Sequence, residues 1–316
     1  QVNRNFYGDL LLNFDYMLTD DISFKSNVGF NTQDFYLKIN QVGGDNLNIP
    51  GLYNYTNVLN PAPASSLNNI MQKRNKYGAF GSFDFGYKDY LFLNVTGRND
   101  WSSVFDKGSN SFFYPSAGIS FIPTKAVESL KGEILNYAKL SANYTKVGND
   151  SAIAPYAINA LAGLGIGYPF GGANSYVQQT NQTFKGIKPE FVTTKEVAAN
   201  FGFFNDRLTL DASYYITDTD DLITRITSSS ATGLSTLLTN IGKMQTKGYE
   251  IDLSFTPIKM ANNGLRWDNK VSYTHYKSVI KKVSNEASEV SLRQPYDFVG
   301  IFAVEGEEFP LIKGTT

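Results

Sequence analysis

The 316 residues carry 28 Lys and Arg against 29 Asp and Glu, a formal net charge of -1, so the cationic excess that binds phosphate backbones is missing and nucleic-acid binding is not expected. Cys is absent and His275 is the one His, which excludes disulfides, thiolate metal sites, a cysteine nucleophile and any site built from several His ligands. Twenty Tyr, 23 Phe and 27 Gly against 2 Trp and 4 Met favour strands and turns over helices, hence an all-β protein. No run approaches the ~18 to 20 consecutive apolar residues of a membrane-spanning helix, and the mean hydropathy is -0.25. A membrane β-barrel stays open under those totals, because its wall buries only alternate residues in lipid. Gln1 is not followed by a basic and then apolar leader, so any signal peptide is expected to have been removed or to lie outside this sequence.

Along the chain the dominant signal is alternation with period two. Leu10, Leu12, Phe14, Tyr16 and Leu18 share one face, and Asp9, Asn13 and Asp15 the other. After a turn at Thr19 to Asp21, Ile22, Phe24, Val28 and Phe30 oppose Ser23, Lys25, Asn27 and Asn31, which predicts a hairpin. A second hairpin sets Phe83, Phe85 and Tyr87, then Leu91, Leu93 and Val95, around a tight turn at Lys88 and Asp89. Ala117, Ile119 and Phe121 precede a link over Pro123 to Ile134 with room for a short helical turn, and Ala138, Leu140, Ala142 and Tyr144 follow it. Val197, Ala199, Phe201 and Phe203 turn at Asn205 and Asp206 into Leu208, Leu210, Ala212, Tyr214 and Ile216. Tyr249, Ile251, Leu253 and Phe255 pass through 257–264 into Trp267, Val271 and Tyr273. Within the stretches named, the charges Asp9, Asp15, Lys25, Asp84, Lys139, Glu196, Asp211, Glu250, Asp252, Arg266, Asp268 and Lys270 fall on the polar faces; Asn269 is the one clearly polar residue there on an apolar face.

Connection lengths add an independent signal. Short links near Thr19, Lys88, Asn205 and Pro257, with a moderate one at Pro123, alternate with long ones over 34–76, 148–193 and 220–244 and a shorter one over 98–110. Membrane barrels alternate short periplasmic turns with long external loops in this way. The predicted fold is an antiparallel transmembrane β-barrel, with about ten strands that put both ends of the sequence outside.

On these residues the chain resembles the SusC/RagA-like TonB-dependent transporters of Bacteroidota. The resemblance is carried by Gly86 to Leu91, by Arg98, Asp100, Ser102, Ser103 and Phe105, by Tyr114, Pro115 and Ser116, and by Leu140, Ser141, Tyr144, Gly148 and Asn149. It continues at Lys188, Pro189 and Glu190, at Thr193 to Glu196, at Phe203 to Leu208, at Tyr214, Tyr215, Asp221 and Leu222, and at Asn240, Ile241, Gly242 and Lys247 to Glu250. The family's plug domain and TonB box find no counterpart, and about ten strands fall short of the roughly 22 of a plugged transporter. Residues 1–316 are therefore expected to be part of a larger barrel. The resemblance implies outer-membrane import of oligomeric nutrients, glycan or peptide fragments, with a SusD-like surface lipoprotein and TonB as partners. It implies no chemical change to the cargo, no catalytic residue, no cofactor and no metal. A single-component siderophore or cofactor receptor, and a surface adhesion or assembly protein anchored by its barrel, are the alternatives.

Candidate substrate contacts lie in the long loops. Tyr53 and Tyr55 in the first, and Tyr156, Tyr168, Phe170 and Tyr176 in the 148–193 loop, have flat amphipathic faces able to stack on a sugar or peptide; the plainer reading is that they pack the loops. The polar-face charges read either as a substrate path or plug grip, or, more plainly, as pairs between neighbouring strands in a wet lumen. Asp218, Asp220 and Asp221 lack the Gly and terminal Glu spacing of a calcium loop, and Gly163, Gly165 and Gly167 do not make a dinucleotide-binding turn.

Overall fold

The computed structural model describes residues 1–62, 69–159, 162–164, 171–173, 175–228, 230–260, 264–283, 288–296 and 298–314. In chain order the strands are β1 (Val2–Thr19), β2 (Ile22–Asn40), β3 (Gly44–Leu47), β4 (Val58–Pro61), β5 (Asn69–Tyr87), β6 (Leu91–Ser102), β7 (Ser111–Phe121), β8 (Leu135–Asn149), β9 (Ala162–Leu164) and β10 (Tyr176–Gln178). They continue as β11 (Asn181–Thr183), β12 (Glu190–Phe203), β13 (Leu208–Asp220), β14 (Ile223–Thr227), β15 (Thr236–Asn240), β16 (Lys243–Lys259), β17 (Arg266–Lys282), β18 (Glu289–Tyr296), β19 (Val299–Val304) and β20 (Leu311–Gly314). Ten of them form one sheet in the order β1-β2-β5-β6-β7-β8-β12-β13-β16-β17, every adjacent pair antiparallel.

The register turns the alternation of single strands into rows across the sheet. Leu93 pairs with Ile119, Ile119 with Ala142, Ala142 with Val197, Val197 with Tyr214, Tyr214 with Tyr249 and Tyr249 with His275. One residue further along, Asn94, Gly118, Asn143, Glu196 and Tyr215 line the opposite face. Leu10, Leu12, Val197 and Val271 are more than half exposed. A continuous apolar face of that extent is not a surface for water; with the polar face turned inward it is the outer wall of a membrane barrel. Rings edge the wall: Phe24 with Phe85 at 5.1 Å, Tyr87 with Tyr90 at 5.4 Å and Tyr90 with Phe121 at 6.0 Å at the short-turn end, and Tyr249 with Tyr273 at 5.8 Å toward the other. These are the interfacial girdles of such barrels. Leu11 and Met17 depart from the alternation and lie on the inner face of β1 beside Asn13 and Asp15. Asn269 stands opposite Phe255 on the apolar face, its amide nitrogen buried with no hydrogen-bond partner.

Short turns close one end. Lys88 and Asp89 both adopt positive φ, at 47° and 57°, the paired left-handed geometry that matches a two-residue hairpin to strand twist. The Asp21 carbonyl accepts the Lys88 backbone N–H at 2.9 Å, and the Asp21 carboxylate lies 3.3 Å from the Lys88 ammonium; the side-chain hydrogen bond to that carboxylate, helped by one to Tyr87 and by the Asp21 charge, holds the Lys88 pKa above its ordinary range. The 123–134 link contains a one-turn helix, α1 (Pro123–Ala126), with Pro at the start where a missing N–H costs nothing. At the long-loop end the strands run further than their alternation alone predicts, β2 to Asn40 and β5 from Asn69. The loops beyond fold into small sheets: β3 with β4, β9 with β10, β11 with β15 and β14, and β18 with β19 and β20.

Candidate functional site

Two constructions meet at the long-loop end: a polar inner face and a cap of packed loops. Small residues shape the inner face. Gly118 sits between Asn94 and Asn143, and a Cβ there would stand 2.6 Å from Asn143 Oδ1. Around it opens a concavity of about 360 Å³ whose lining includes Lys25, Asp84, Asn94, Lys139 and Asn143. The inward charges pair across strands: Asp15 with Lys25 at 3.1 Å, Asp252 with Lys270 at 3.3 Å, while Asp84 accepts from Asn94 and Asp211 from Asn200, each at 2.6 Å. Asp268 accepts from Thr256 and Arg266. This is the ladder pairing the alternation predicts.

The cap is built differently. Val104, Phe105, Phe112, Ile153, Ile187, Ile223 and Leu238 form a buried cluster drawn from three loops and the strand ends beside them. Beside it lies a buried polar knot. Asp100 accepts the Tyr114 hydroxyl at 2.6 Å on Oδ2, where Lys76 Nζ is also 3.3 Å away; Arg98 Nε is 2.7 Å from Oδ1 without pointing at it. Asp150 accepts the Ser102 hydroxyl at 2.6 Å and holds Arg74 at 2.6 Å and Lys76 at 3.5 Å. Arg98 continues to Asn31 at 2.9 Å and stacks over Phe80. Three cations face two carboxylates, and Asp100, Ser102 and Asp150 are almost wholly buried. Burial alone pushes the Asp150 carboxyl up; the Ser102 and Arg74 hydrogen bonds and the Lys76 charge outweigh it and hold the pKa below the usual carboxylate value.

A second clasp joins two of the same loops, 148–193 and 220–244. The Asn240 side chain accepts Lys188 N–H at 2.7 Å and donates to the carbonyls of Lys188 at 2.9 Å and Asp221 at 2.8 Å. Glu190 accepts Ile223 N–H at 3.1 Å. Gly242, at φ 65°, lies so close to β17 that a Cβ would meet the Lys282 carbonyl at 2.0 Å, so only glycine fits. Several residues that carry the family resemblance, Arg98, Asp100, Ser102, Tyr114, Lys188, Glu190, Asn240 and Gly242, are thus the ones that fasten the loops. The sequence shows their order and not their role, because the partners Arg74, Asn31 and Asp150 come from other hairpins.

The candidate aromatics are not brought together. Tyr53 is 90% exposed on the β3–β4 loop, where Asn57 caps the turn through Ile49 and Leu52, and Tyr55 opens a 3-10 turn beside it. Tyr156 has φ 65° next to the cap residues Ala157 and Ile158, and Tyr176 is exposed on β10 opposite Leu164. No two of these four stack on each other among the described residues; Tyr168 and Phe170 lie outside them. Asp218 and Asp220 are taken by Gln245 at 2.8 Å and Lys243 at 3.1 Å, and no cluster of three or more His, Asp or Glu able to hold a metal occurs among the described residues.

An antiparallel sheet with an apolar girdled exterior, a polar interior and a folded outer cap defines the wall of an outer-membrane β-barrel. The chain belongs to the TonB dependent receptor-like, beta-barrel family, whose model matches residues 1–301. It is 29% identical over 206 residues to TonB-dependent receptor P26 of Formosa agariphila, covering 64% of this chain and 20% of that protein. It is 26% identical to TonB-dependent receptor SusC of Bacteroides thetaiotaomicron, covering 65% of this chain and 21% of that one, so the chain spans about a fifth of these relatives' length. In fold it matches the RagAB peptide transporter with a TM-score of 0.83 at 16% identity, over 96% of this chain and 33% of that one. A ferric enterobactin receptor of Pseudomonas aeruginosa gives 0.55 at 15% identity, over 95% and 40%.

Proposed function

We propose that this segment works within a TonB-dependent outer-membrane importer of oligomeric nutrients, glycan or peptide fragments, as the SusC-like barrel of a complex with a SusD-like surface lipoprotein. The observation that carries this reading is the cap: loops fastened by a buried charged knot and a side-chain clasp form a firm outer rim, the kind of base on which a lid protein can seat. The higher TM-score against the RagAB transporter than against the enterobactin receptor supports the two-component architecture over a single-component siderophore receptor. TonB would act through parts of the protein beyond this segment. Tyr53, Tyr55, Tyr156 and Tyr176 would meet cargo or lid on the outer side, with the polar inner face as the path below. At the edges of the ten-stranded sheet, β1 and the part of β17 before Ser278 have no strand on their outer side among the described residues, while Ser278 and Ile280 bond to 306–309; hydrocarbon does not tolerate open edges, and in this reading further strands would complete the wall.

Uptake of labelled oligosaccharides and peptides by cells carrying or lacking the full-length gene tests this, with and without a protonophore. The expected result is uptake of one of these classes that needs both the gene and the proton gradient. Gene-dependent uptake of ferric siderophores alone, or surface adhesion without any uptake, would overturn it.

A further inference from the structure

Between the outer girdle and the middle of the wall, the apolar face is hollowed. Ala199 pairs with Ala212, and Leu140 and Ile251 flank them across the sheet. Small side chains between larger ones leave a trench of about 620 Å³, lined in part by Val197, Tyr214 and Tyr249. The next row outward, beyond Tyr214, Tyr249 and His275, is cationic: Lys195 pairs with Ile216, Ile216 with Lys247, and Lys247 directly with Lys277. Like charges placed opposite each other are unfavourable. Glu308 neutralises Lys277, whereas Lys195 and Lys247 are exposed and make no ion pair among the described residues. Asp218, two residues outward on β13, is engaged by Gln245.

An apolar seat directly inward of uncompensated lysines, on the face that meets lipid and at the end that meets the outer leaflet, has the order of an anionic lipid turned headgroup outward. We propose that this part of the wall binds a phosphorylated, multiply acylated glycolipid of the outer leaflet, one acyl chain lying in the Ala199 and Ala212 trench and a phosphate between Lys195 and Lys247. Spacing agrees, because two strand intervals put those lysines roughly 10 Å apart at the backbone, a gap their long side chains close on one phosphate. The inference rests on the barrel reading of the apolar face.

The test uses the full-length barrel in mild detergent, titrated by native mass spectrometry with a bis-phosphorylated acyl-disaccharide lipid and with the same lipid dephosphorylated. The wild type is expected to prefer the phosphorylated form by roughly tenfold or more, as two lysines acting on an anionic headgroup imply. Lys195→Gln with Lys247→Gln removes that preference and Lys195→Arg with Lys247→Arg keeps it, while Ala212→Phe weakens both lipids by filling the trench. No preference in the wild type, or a preference that survives the Gln pair, overturns the proposal. A nitroxide at Val197 separates the two levels: contact with water instead of hydrocarbon defeats the barrel reading itself, whereas contact with hydrocarbon and no phosphate preference defeats the lipid site alone.

Discussion

The wall and the cap of this molecule are held by different physics. In the wall, backbone ladders run the length of the strands, and side chains face lipid or the lumen with few buried contacts; even its charge pairs, such as Asp15 with Lys25, remain largely exposed. In the cap, Asp100 and Asp150 are buried against three cations, where removal of one partner leaves charge without compensation. The wall therefore tolerates changes that respect polarity, and the cap depends on individual atoms.

Asp100→Ala sharpens that contrast most. It is expected to cost about 3 to 5 kcal/mol, the usual result of breaking a buried ion pair by removing one member. In limited proteolysis of the full-length protein the loops at 103–110 and 150–189 should be cut first while the barrel stays intact. A wall that unfolds together with the loops would erase the distinction. Leu210→Arg attacks the wall instead, and near the bilayer midplane it is expected to cost about 2 to 4 kcal/mol in a reversible unfolding titration in lipid. Leu12→Arg on β1 should behave alike, and no loss for either would contradict the outward facing of those rows.

Asn240→Ala removes one acceptor and two donations at the second clasp, and is expected to cost about 0.5 to 1.5 kcal/mol, because the exposed backbone groups of Lys188 and Asp221 can turn to water. Hydrogen exchange at the Lys188 amide reads it directly, with faster exchange expected. Acid should loosen the cap before the wall. Asp150 has a folded pKa below its unfolded one, so its contribution is complete above the ordinary carboxylate value and lost as pH falls through the depressed one. Loop proteolysis followed down through that range checks it, and Asp150→Asn should flatten the response. The smallest effect belongs to Asp211→Asn, an exposed inner-face partner of Asn200, expected to stay within about 1 kcal/mol.

The same contrast explains what could be read from the sequence. Period two is local, so each strand announces its faces alone, and the ten-stranded sheet with its short turns at Lys88 and Asn205 follows from residue order. Strand ends were hidden where alternation fades: Lys38, Lys73 and Arg74 extend β2 and β5 past the apolar rows. The cap is non-local. Nothing near Asp100 in sequence reveals that Tyr114 and Lys76 converge on it, or that Asn240 reaches Lys188, so those residues registered as family motifs without a function. The loop aromatics are a third case: ring chemistry marks Tyr53 on one loop and Tyr176 on another as able to stack on cargo, and both are exposed, but neither residue order nor exposure assigns them a partner.

The most direct test is a nitroxide scan of residues 208–215 on β13 in the full-length protein in outer-membrane lipid, reading collision with oxygen against collision with a water-soluble nickel complex. Oxygen should dominate at Leu208, Leu210, Ala212 and Tyr214, and nickel at Thr209, Asp211, Ser213 and Tyr215. A flat profile, or one with the phase reversed, would show that the apolar rows do not touch hydrocarbon.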